Sequence, residues 1–347
     1  MSVVGLSRGL STSAAKNPAI RCTSSGVRPK TAHDASQKRW ASSRRIERLR
    51  SRVEKPLDRE IFTDFAALRD NYAAPKHTIV LAHGLFGFAQ LDLGHDLGLR
   101  PGLLPPIHYW HGIVDALTAR NVRVVTTSVP PSSSIQHRAN HLARQIAALC
   151  PREPVSIIAH SMGGLDARCM LSSLRPGPAA GVDVRALVTI ATPHRGSHFA
   201  DYVHAAPLLP LPRLHGVLRR VGLGTEAFAQ LTTAYMRDTF NPLTQDVQGV
   251  RYFSYGATTP KPSVLSPFWL THRIVRRKEG PNDGLVSVES SRWGSYKGTL
   301  INVSHLDLIN WTNVFTRTAR YMAGIPEGFN AIAFYLAIAD MLAKEGL

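Results

Sequence analysis

The stretch "VSIIAHSMGG" (residues 155–164) places a serine between an apolar, β-branched run and two glycines. A strand that turns sharply into a helix would carry Ser161 at the turn and push its hydroxyl out of the surface. Such a turn crowds the positions two residues to either side of the serine, and these hold the small residues Ala159 and Gly163. The pattern therefore predicts a candidate nucleophile at Ser161. The alternative is an ordinary turn in which the serine caps a helix.

Predicted strands and helices alternate along most of the chain. Short β-branched or apolar runs predict strands at residues 77–84, 122–129, 154–160, 184–192, 250–257 and 298–303. Helical patterns occupy residues 107–121, 135–149, 162–174, 307–322 and 329–343. The alternation predicts an α/β domain with a mostly parallel central sheet and helices on both faces. Sites in such sheets lie beyond the carboxyl ends of the strands, which is where Ser161 is expected.

This alternation lapses between residues 192 and 252. The Leu, Pro and Gly content there, without regular strand spacing, predicts short helices inserted over the edge of the sheet at about residues 197–240. Several leucines of the insertion could form one apolar face: Leu208, Leu209, Leu211, Leu214 and Leu218. Two interpretations stay open, packing against the core and a mobile lid that presents its leucines to lipid.

Positive charge is concentrated near the amino terminus. Of the formal charge of +17, residues 1–52 contribute +10, with twelve Lys or Arg against two Asp or Glu. The first 33 residues contain no acid and many Ser, Thr and Ala, which is typical of a mitochondrial transit peptide. We therefore expect a mitochondrial protein with a leader at 1–52 and one domain at 53–347. A nucleic-acid-binding arm is the alternative, but no basic stripe interleaved with aromatic residues continues into the domain.

The remaining composition is that of a globular protein, 44% hydrophobic and 19% charged. No run of about 18 uncharged apolar residues occurs, so we expect no transmembrane helix, and residues 329–343 are expected to pack on the core. Three cysteines, Cys22, Cys150 and Cys169, fit a reducing compartment. The basic stretch "HRIVRRKEG" (272–280) is interpreted as a solvated loop, with attraction to anionic lipid as the alternative.

Activation of Ser161 requires an imidazole, and orientation of that imidazole requires a carboxylate. Both should lie on loops after later strands, in the chain order serine, acid, histidine. Asp283 lies in an Asn-Asp-Gly turn, and His305 directly follows a β-branched run. Asp166 and Asp201 compete as the acid, but Asp166 lies on the predicted nucleophile helix and is expected to cap or form a salt bridge, and Asp201 comes too early in the chain.

A tetrahedral intermediate also needs backbone N–H donors for its oxyanion. The sequence predicts one donor at Met162, directly after the nucleophile. The second is predicted at Leu85 in "AHGLFGF" (82–88), a glycine-containing loop after an early strand. The remaining residues His83, Gly84 and Phe86 are predicted to form a structural or substrate-binding loop, in which His83 supports the loop through hydrogen bonds rather than acting as a second base.

Six segments carry a resemblance to a known family. They are "HGLFG", "AHSMGGLDAR", "ATPHRGSHFAD", "LTTAYMRDTFNP", "NDGLVS" and "SHLDLIN". Together, over residues 77–320, they resemble true lipases of the α/β-hydrolase fold, both the bacterial Pseudomonas and Burkholderia type and fungal mitochondrial triacylglycerol lipases. The resemblance implies a nucleophile at Ser161, an acid at Asp283, a base at His305 and a lid after "ATPHRGS".

The resemblance also raises the question of a structural calcium ion. Bacterial members bind calcium near the catalytic histidine through two aspartates, and Asp307 matches one of them. The segment Thr258 to Thr271 contains no acid that matches the second. We therefore expect no cofactor, with calcium at Asp307 left open beside a local hydrogen bond or a helix cap.

The expected function is a serine carboxylester hydrolase that cleaves acylglycerols at a lipid or membrane surface. A phospholipase, an acyltransferase or a broad esterase would use the same three residues, so these alternatives stay open. A catalytically silent, lipid-binding module of the same fold is a further alternative.

Overall fold

The computed structural model describes residues 59–85, 90–91, 107–131, 133–173, 181–205, 225–262, 266, 268–311 and 329–347. The predicted leader, residues 1–52, lies outside the described residues, and its role stays a prediction.

Seven of the described strands form one sheet, in which every neighbouring pair is parallel. Their spatial order is β1-β9-β8-β7-β6-β2-β5. The bounds are β1 Glu60–Ile61, β2 Thr78–Ala82, β5 Val124–Thr126, β6 Pro154–His160, β7 Asp183–Ile190, β8 Arg251–Thr258 and β9 Ser295–Ile301. A separate antiparallel pair consists of β3 Gln90–Leu91 and β4 Ile107–His108. The predicted parallel α/β architecture is confirmed, and all six predicted strands are present.

Both faces of the sheet are apolar and covered. Along β2, Val80 packs into one hydrophobic core, and its neighbours Ile79 and Leu81 pack into the other. Side chains of a strand point to alternate faces, so an unbroken apolar run such as "TIVLA" can fill two cores at once. The sheet is therefore sandwiched between helices, as the sequence predicts.

The described helices are α1 Ile113–Thr118, α2 Ile135–Leu149, α3 Gly163–Ser173, α4 His198–Ala205, α5 Thr225–Gln230, α6 Thr233–Tyr235, a π-helix Met236–Phe240, α7 Asn241–Leu243, α8 Trp269–Lys278, α9 Val288–Ser291, a 3₁₀ turn Asp307–Ile309 and α10 Ala331–Lys344. Helices α2 and α3 pack together on one face of the sheet, while α1 and α10 pack on the other. Residues of α10 such as Phe334 and Ile338 are fully buried, which confirms the prediction that this helix belongs to the core.

Helix α10 also fixes the chain ahead of β2. The Asp340 carboxylate accepts hydrogen bonds from the Arg69 guanidinium and the Ala73 N–H, each at 3.0 Å, and from Lys344 at 2.8 Å. The bonds from Arg69 and Ala73 connect segments more than 260 residues apart and join the start of the domain to its last helix.

One predicted helix is wrong in its extent, and another is interrupted near its start. The helix predicted at 107–121 is confined to α1, because residues 107–108 form β4 and Gly112 adopts a left-handed φ of 69°. The helix predicted at 307–322 begins as a single 3₁₀ turn that ends at Asn310, where φ is 62°, and residues 312–322 lie outside the described residues. The Asn310 side chain donates a hydrogen bond to the His111 carbonyl, and this long-range contact favours the left-handed conformation over a continued helix.

Short helices are present on both sides of residues 206–224 in the insertion predicted at 197–240. The five leucines of its expected apolar face lie outside the described residues, so the choice between a packed segment and a lid stays open. Among the described residues, no helix is both long enough and apolar enough to cross a bilayer.

Candidate active site

Ser161 lies at the turn between β6 and α3, in a left-handed conformation with φ of 55°. Its N–H donates to the Ile190 carbonyl at 2.9 Å, and its carbonyl accepts from the Thr192 hydroxyl at 2.7 Å. A left-handed conformation is unfavourable for a residue with a Cβ, so these bonds hold the serine in a strained position. The strand, turn and helix predicted around Ser161 are confirmed.

Two glycines allow another loop to approach this turn. A Cβ atom at Gly163 would lie 2.6 Å from the His83 carbonyl oxygen, and one at Gly84 would lie 2.7 Å from the Ser161 Cβ. Real side chains do not tolerate such distances, so the contact between the loop after β2 and the turn after β6 requires glycine at both positions.

The structure brings His305 and Asp283 together. The His305 Nδ1 lies 2.7 Å from the Asp283 Oδ2, and both side chains are almost completely buried. The other carboxylate oxygen, Oδ1, accepts from the N–H groups of Leu285 and Val286, and the His305 N–H donates to the Asp283 carbonyl at 2.9 Å. A carboxylate at Nδ1 places a proton there and leaves Nε2 as the basic nitrogen of the neutral ring.

His305 lies beside the turn that carries Ser161. The ring of His305 packs against the ring of His160, the residue before Ser161, with centroids 4.5 Å apart. The Asp283–His305 pair, on the chain segments that follow β8 and β9, therefore lies beside the carboxyl end of β6. The bond from the Ser161 hydroxyl to His305 stays a prediction.

The loop after β2 is fixed through its carbonyl groups. The Gly84 carbonyl accepts from the Arg138 guanidinium and from the His83 Nδ1, both at 3.0 Å, and the His83 carbonyl accepts from Arg138 at 3.2 Å. In a trans peptide the N–H points opposite to the preceding C=O, so the Leu85 N–H is directed away from Arg138. The Met162 N–H lies at the start of α3, where backbone donors lack a partner within the helix. The predicted donors are therefore both at the edge of the Ser161 turn, while Phe86 lies outside the described residues.

His83 acts as a brace in this loop. Its Nε2 accepts from the Val129 N–H at 3.0 Å, so its Nδ1 carries the proton that is donated to the Gly84 carbonyl. Burial, followed by the charge of Arg138, lowers the pKa of His83 to about 4, which keeps the ring neutral at physiological pH. This geometry matches the bracing interaction that the sequence predicts for His83.

Arg138 is a residue of the site that was not predicted from the sequence, and its side chain is fully buried in α2. Besides the loop carbonyls, its guanidinium binds the Asp166 carboxylate at 2.7 Å and the Pro130 carbonyl at 2.9 Å. A signal was present, because Arg138 falls on the same helix stripe as Ile135 and Leu142, where an apolar residue is expected.

Asp166 and Asp201, the other candidates for the acid, bind groups other than His305. Asp166 forms the predicted salt bridge, with Arg138, and burial raises the pKa of its carboxyl to about 6 against the opposing effect of that partner. Asp201 accepts from the N–H and the hydroxyl of Thr233, both at 2.8 Å, and thereby joins α4 to α6. Neither carboxylate is hydrogen-bonded to His305.

The Asp307 carboxylate is engaged by the neighbouring Ser304. One of its carboxylate oxygens accepts from the N–H and the hydroxyl of Ser304, at 2.9 and 2.7 Å. Within the described ranges, no group of three His, Cys, Asp or Glu side chains is arranged to hold a metal ion. The local hydrogen bond considered for Asp307 is therefore present, and calcium binding at this residue stays an untested prediction.

Comparison with known proteins gives the family. The chain is 34% identical over 330 residues to triacylglycerol lipase 2 of Saccharomyces cerevisiae, covering 83% of this chain and 97% of that relative. This chain belongs to the triacylglycerol lipase family. A triacylglycerol lipase of Vibrio cholerae is 27% identical over 281 residues, and residues 116–210 match the family model "Putative serine esterase (DUF676)".

The structural comparison agrees on the fold. The lipase of Staphylococcus hyicus aligns with a TM-score of 0.57 at 18% identity, covering 80% of this chain and 98% of that one. The resemblance to bacterial and fungal lipases and the expected α/β-hydrolase fold are therefore confirmed. As a member of the triacylglycerol lipase family, the protein is a carboxylic ester hydrolase.

Replacement of Arg138 should separate stability from activity in this lipase. In Arg138→Met the Asp166 carboxylate is left buried without its cation, so we expect a loss of about 3–5 kcal/mol in the free energy of unfolding. The double variant Arg138→Met/Asp166→Leu removes both charges and should regain most of that loss. Its kcat on a soluble ester should stay at least about tenfold low, because the carbonyls of His83 and Gly84 still lack the hydrogen bonds from the Arg138 guanidinium. Wild-type kcat in the double variant, measured beside urea denaturation, would contradict this role.

Stability should also depend on pH through His83. Its folded pKa of about 4 lies below the unfolded value of 6.5, so between these values the unfolded chain binds a proton that the folded chain does not. Neutral His83 should contribute about 3 kcal/mol to the free energy of unfolding. This contribution should be complete above pH 6.5 and be lost as pH falls towards 4. Urea denaturation at several pH values should show a shallower dependence for His83→Gln. Equal slopes for the two proteins would refute the assignment.

Proposed function

We propose that this lipase hydrolyses triacylglycerols, and related acylglycerols, through an acyl-enzyme at Ser161. The observation that carries the proposal is the buried contact of 2.7 Å between His305 and Asp283 at the edge of the Ser161 turn. A carboxylate, an imidazole and a strained serine at the carboxyl ends of neighbouring strands are the parts that ester cleavage needs. The yeast and Vibrio relatives are triacylglycerol lipases by name, which supports triacylglycerol as the substrate.

In the proposed reaction His305 Nε2 takes the Ser161 proton as the serine oxygen attacks the ester carbonyl. The resulting oxyanion receives hydrogen bonds from the N–H groups of Leu85 and Met162. His305 then gives its proton to the departing alcohol, and the acyl group stays on Ser161. Water, deprotonated by His305, attacks the acyl-enzyme and releases the fatty acid, with the proton returned to the serine. Asp283 holds the ring and stabilises its positive charge throughout.

Replacement of Ser161 by alanine should abolish hydrolysis without unfolding the protein. The substitution removes one hydroxyl at the surface of the turn, so the thermal midpoint should stay close to wild type. Because no acyl-enzyme can form, kcat on a short-chain nitrophenyl ester should fall by at least about 10⁴-fold. Hydrolysis at the wild-type rate by purified Ser161→Ala would exclude this nucleophile.

Covalent labelling of the nucleophile gives a second measurement that does not depend on turnover. A fluorophosphonate probe should modify one site per chain in the wild type and none in Ser161→Ala.

Dispersed triacylglycerol, tributyrin and phospholipid should also be compared as substrates of the wild type. Cleavage of phospholipid in preference to triacylglycerol would assign the same site to the phospholipase alternative.

We infer that helix α8 helps the enzyme contact an anionic lipid surface. Helix α8 contains no acidic residue, and its exposed positions hold Arg273, Arg276, Arg277 and Lys278. The next acid, Glu279, is engaged by His198 and Ser287, so it does not neutralise this face. The helix contacts the loop that carries Asp283, called here the acid loop, because the Thr271 hydroxyl donates to the Gly284 carbonyl at 2.6 Å. An anionic interface that attracts α8 would therefore meet the enzyme near its acid loop.

Charge reversal on α8 should weaken binding to anionic vesicles. Each basic residue near such a surface is worth about 1 kcal/mol, so Arg273→Glu/Arg277→Glu should weaken binding by at least about thirtyfold. Vesicles of phosphatidylserine and phosphatidylcholine, sedimented with the full chain, give the measurement. The control Lys76→Glu/Arg152→Glu makes the same charge change at exposed positions before β2 and β6, at the opposite edge of the sheet. Equal losses in both variants would assign the attraction to overall charge and reject α8 as the contact.

We also propose a mitochondrial location with residues 1–52 as the targeting leader. The support is the acid-free, Ser- and Arg-containing composition of the first 33 residues.

A further inference from the structure

A buried tyrosine and a buried histidine lie between the two parts of the candidate site. Tyr109 and His160 are 3% and 1% exposed, and the reaction proposed above gives no task to either side chain. Tyr109 follows β4 in the segment that the sequence predicts to be helical. His160 is the last residue of β6 and directly precedes Ser161.

The Tyr109 hydroxyl joins this histidine to the loop after β2. The Gly84 N–H donates to the Tyr109 oxygen at 3.0 Å, and the same oxygen lies 2.7 Å from the His160 Nδ1. Gly84 is the residue whose carbonyl is held by Arg138 and His83. The two peptide groups that flank its Cα are therefore both fixed, one through Tyr109 and one through Arg138.

The proton positions in this chain follow from the donors and acceptors. A backbone N–H can only donate, so the Tyr109 oxygen accepts from Gly84. Burial raises the pKa of Tyr109, so the phenol keeps its proton, and the acceptor at hydrogen-bond distance for that proton is the His160 Nδ1. His160 therefore accepts at Nδ1.

His160 in turn touches the base. Its ring packs on that of His305 with centroids 4.5 Å apart and planes inclined by 43°. Burial, followed by the proximity of His305, lowers the pKa of His160 well below its ordinary value. The His160 ring thus stays neutral, and it adds no positive charge when His305 takes up the serine proton.

We propose that Tyr109 and His160 are positioning residues that couple the loop after β2, which carries the Leu85 N–H, to His305 as the catalytic base. The chain Gly84 N–H to Tyr109 hydroxyl to His160 ring to His305 ring fixes the Leu85 donor and the His305 imidazole relative to each other. The inference rests on the proposed function, since it assigns a task only if Ser161, His305 and the Leu85 N–H act together. Misplacement of a reacting group by about 1 Å costs about 100-fold in rate.

The test is Tyr109→Phe, which removes one hydroxyl and keeps the ring. With a soluble nitrophenyl ester, kcat per active site titrated with fluorophosphonate should fall by about 10- to 100-fold, while KM stays within about twofold. The matched control is Tyr335→Phe. Tyr335 is also fully buried and close to Trp110, but its hydroxyl has no hydrogen-bond partner within the described residues, so kcat should be unchanged.

Two variants of His160 test the other end of the chain. His160→Asn keeps an acceptor near the position of Nδ1, whereas His160→Leu removes it, so Asn should retain a clearly higher kcat than Leu. The double variant Tyr109→Phe/His160→Leu should be no slower than the weaker single variant, because both changes break one chain. A merely structural role would instead lower the number of titrated sites and leave kcat per site unchanged.

The outcomes decide between the two proposals. If Ser161→Ala is inactive and Tyr109→Phe keeps wild-type kcat per site, the coupling is overturned while the proposed function stands. If Ser161→Ala is as active as the wild type, the proposed function fails whatever Tyr109→Phe does. Should Tyr109→Phe not fold, the His160 pair decides, and equal kcat for Asn and Leu overturns the coupling.

Discussion

The approach of two loops at the carboxyl edge of the sheet is the constraint on which the site depends. β2 and β6 are neighbours, so the loop after β2 and the turn at Ser161 compete for the same space. Glycine at positions 84 and 163 removes the Cβ atoms that would prevent this contact. A backbone N–H can then lie beside a serine hydroxyl, which is what stabilisation of an oxyanion requires. A larger residue at either glycine would separate the donor from the reacting oxygen.

The loop that makes this approach is held mainly by polar interactions beneath the surface. Arg138 presents a charge inside the domain, and burial of an unpaired charge would be strongly unfavourable. Its guanidinium is satisfied by Asp166 and by backbone carbonyls, so the penalty is offset and several donors act on the loop at once. Charged groups in a core contribute little to net stability compared with apolar residues. Their value here is that they fix the direction of peptide groups, which apolar packing cannot do.

The histidines around the site also differ in what their surroundings let them do. His83 and His160 are buried with lowered pKa values and remain neutral, so they can hold geometry without adding charge. His305 alone among these rings contacts a carboxylate, at Asp283. In the proposed reaction, His305 is therefore the imidazole with a carboxylate to orient it when the serine proton is transferred. The surroundings of each imidazole, rather than the residue type, separate the base from its supports.

The sequence by itself determined six strands of the parallel sheet and the Ser161 turn, because these follow from local periodicity and from small residues at fixed spacing. The two-residue strands β1, β3 and β4 are too short to give such a pattern. It also selected Asp283 and His305, since chain order and loop position restrict the candidates. Only the tertiary structure decided that Arg138, Tyr109 and His160 belong to the site. Their hydrogen-bond partners lie on other strands and loops, often more than fifty residues away, and no local pattern encodes which carbonyl or ring will arrive there. The left-handed conformation of Asn310 within a predicted helix has the same cause, because its side chain bonds the distant His111 carbonyl.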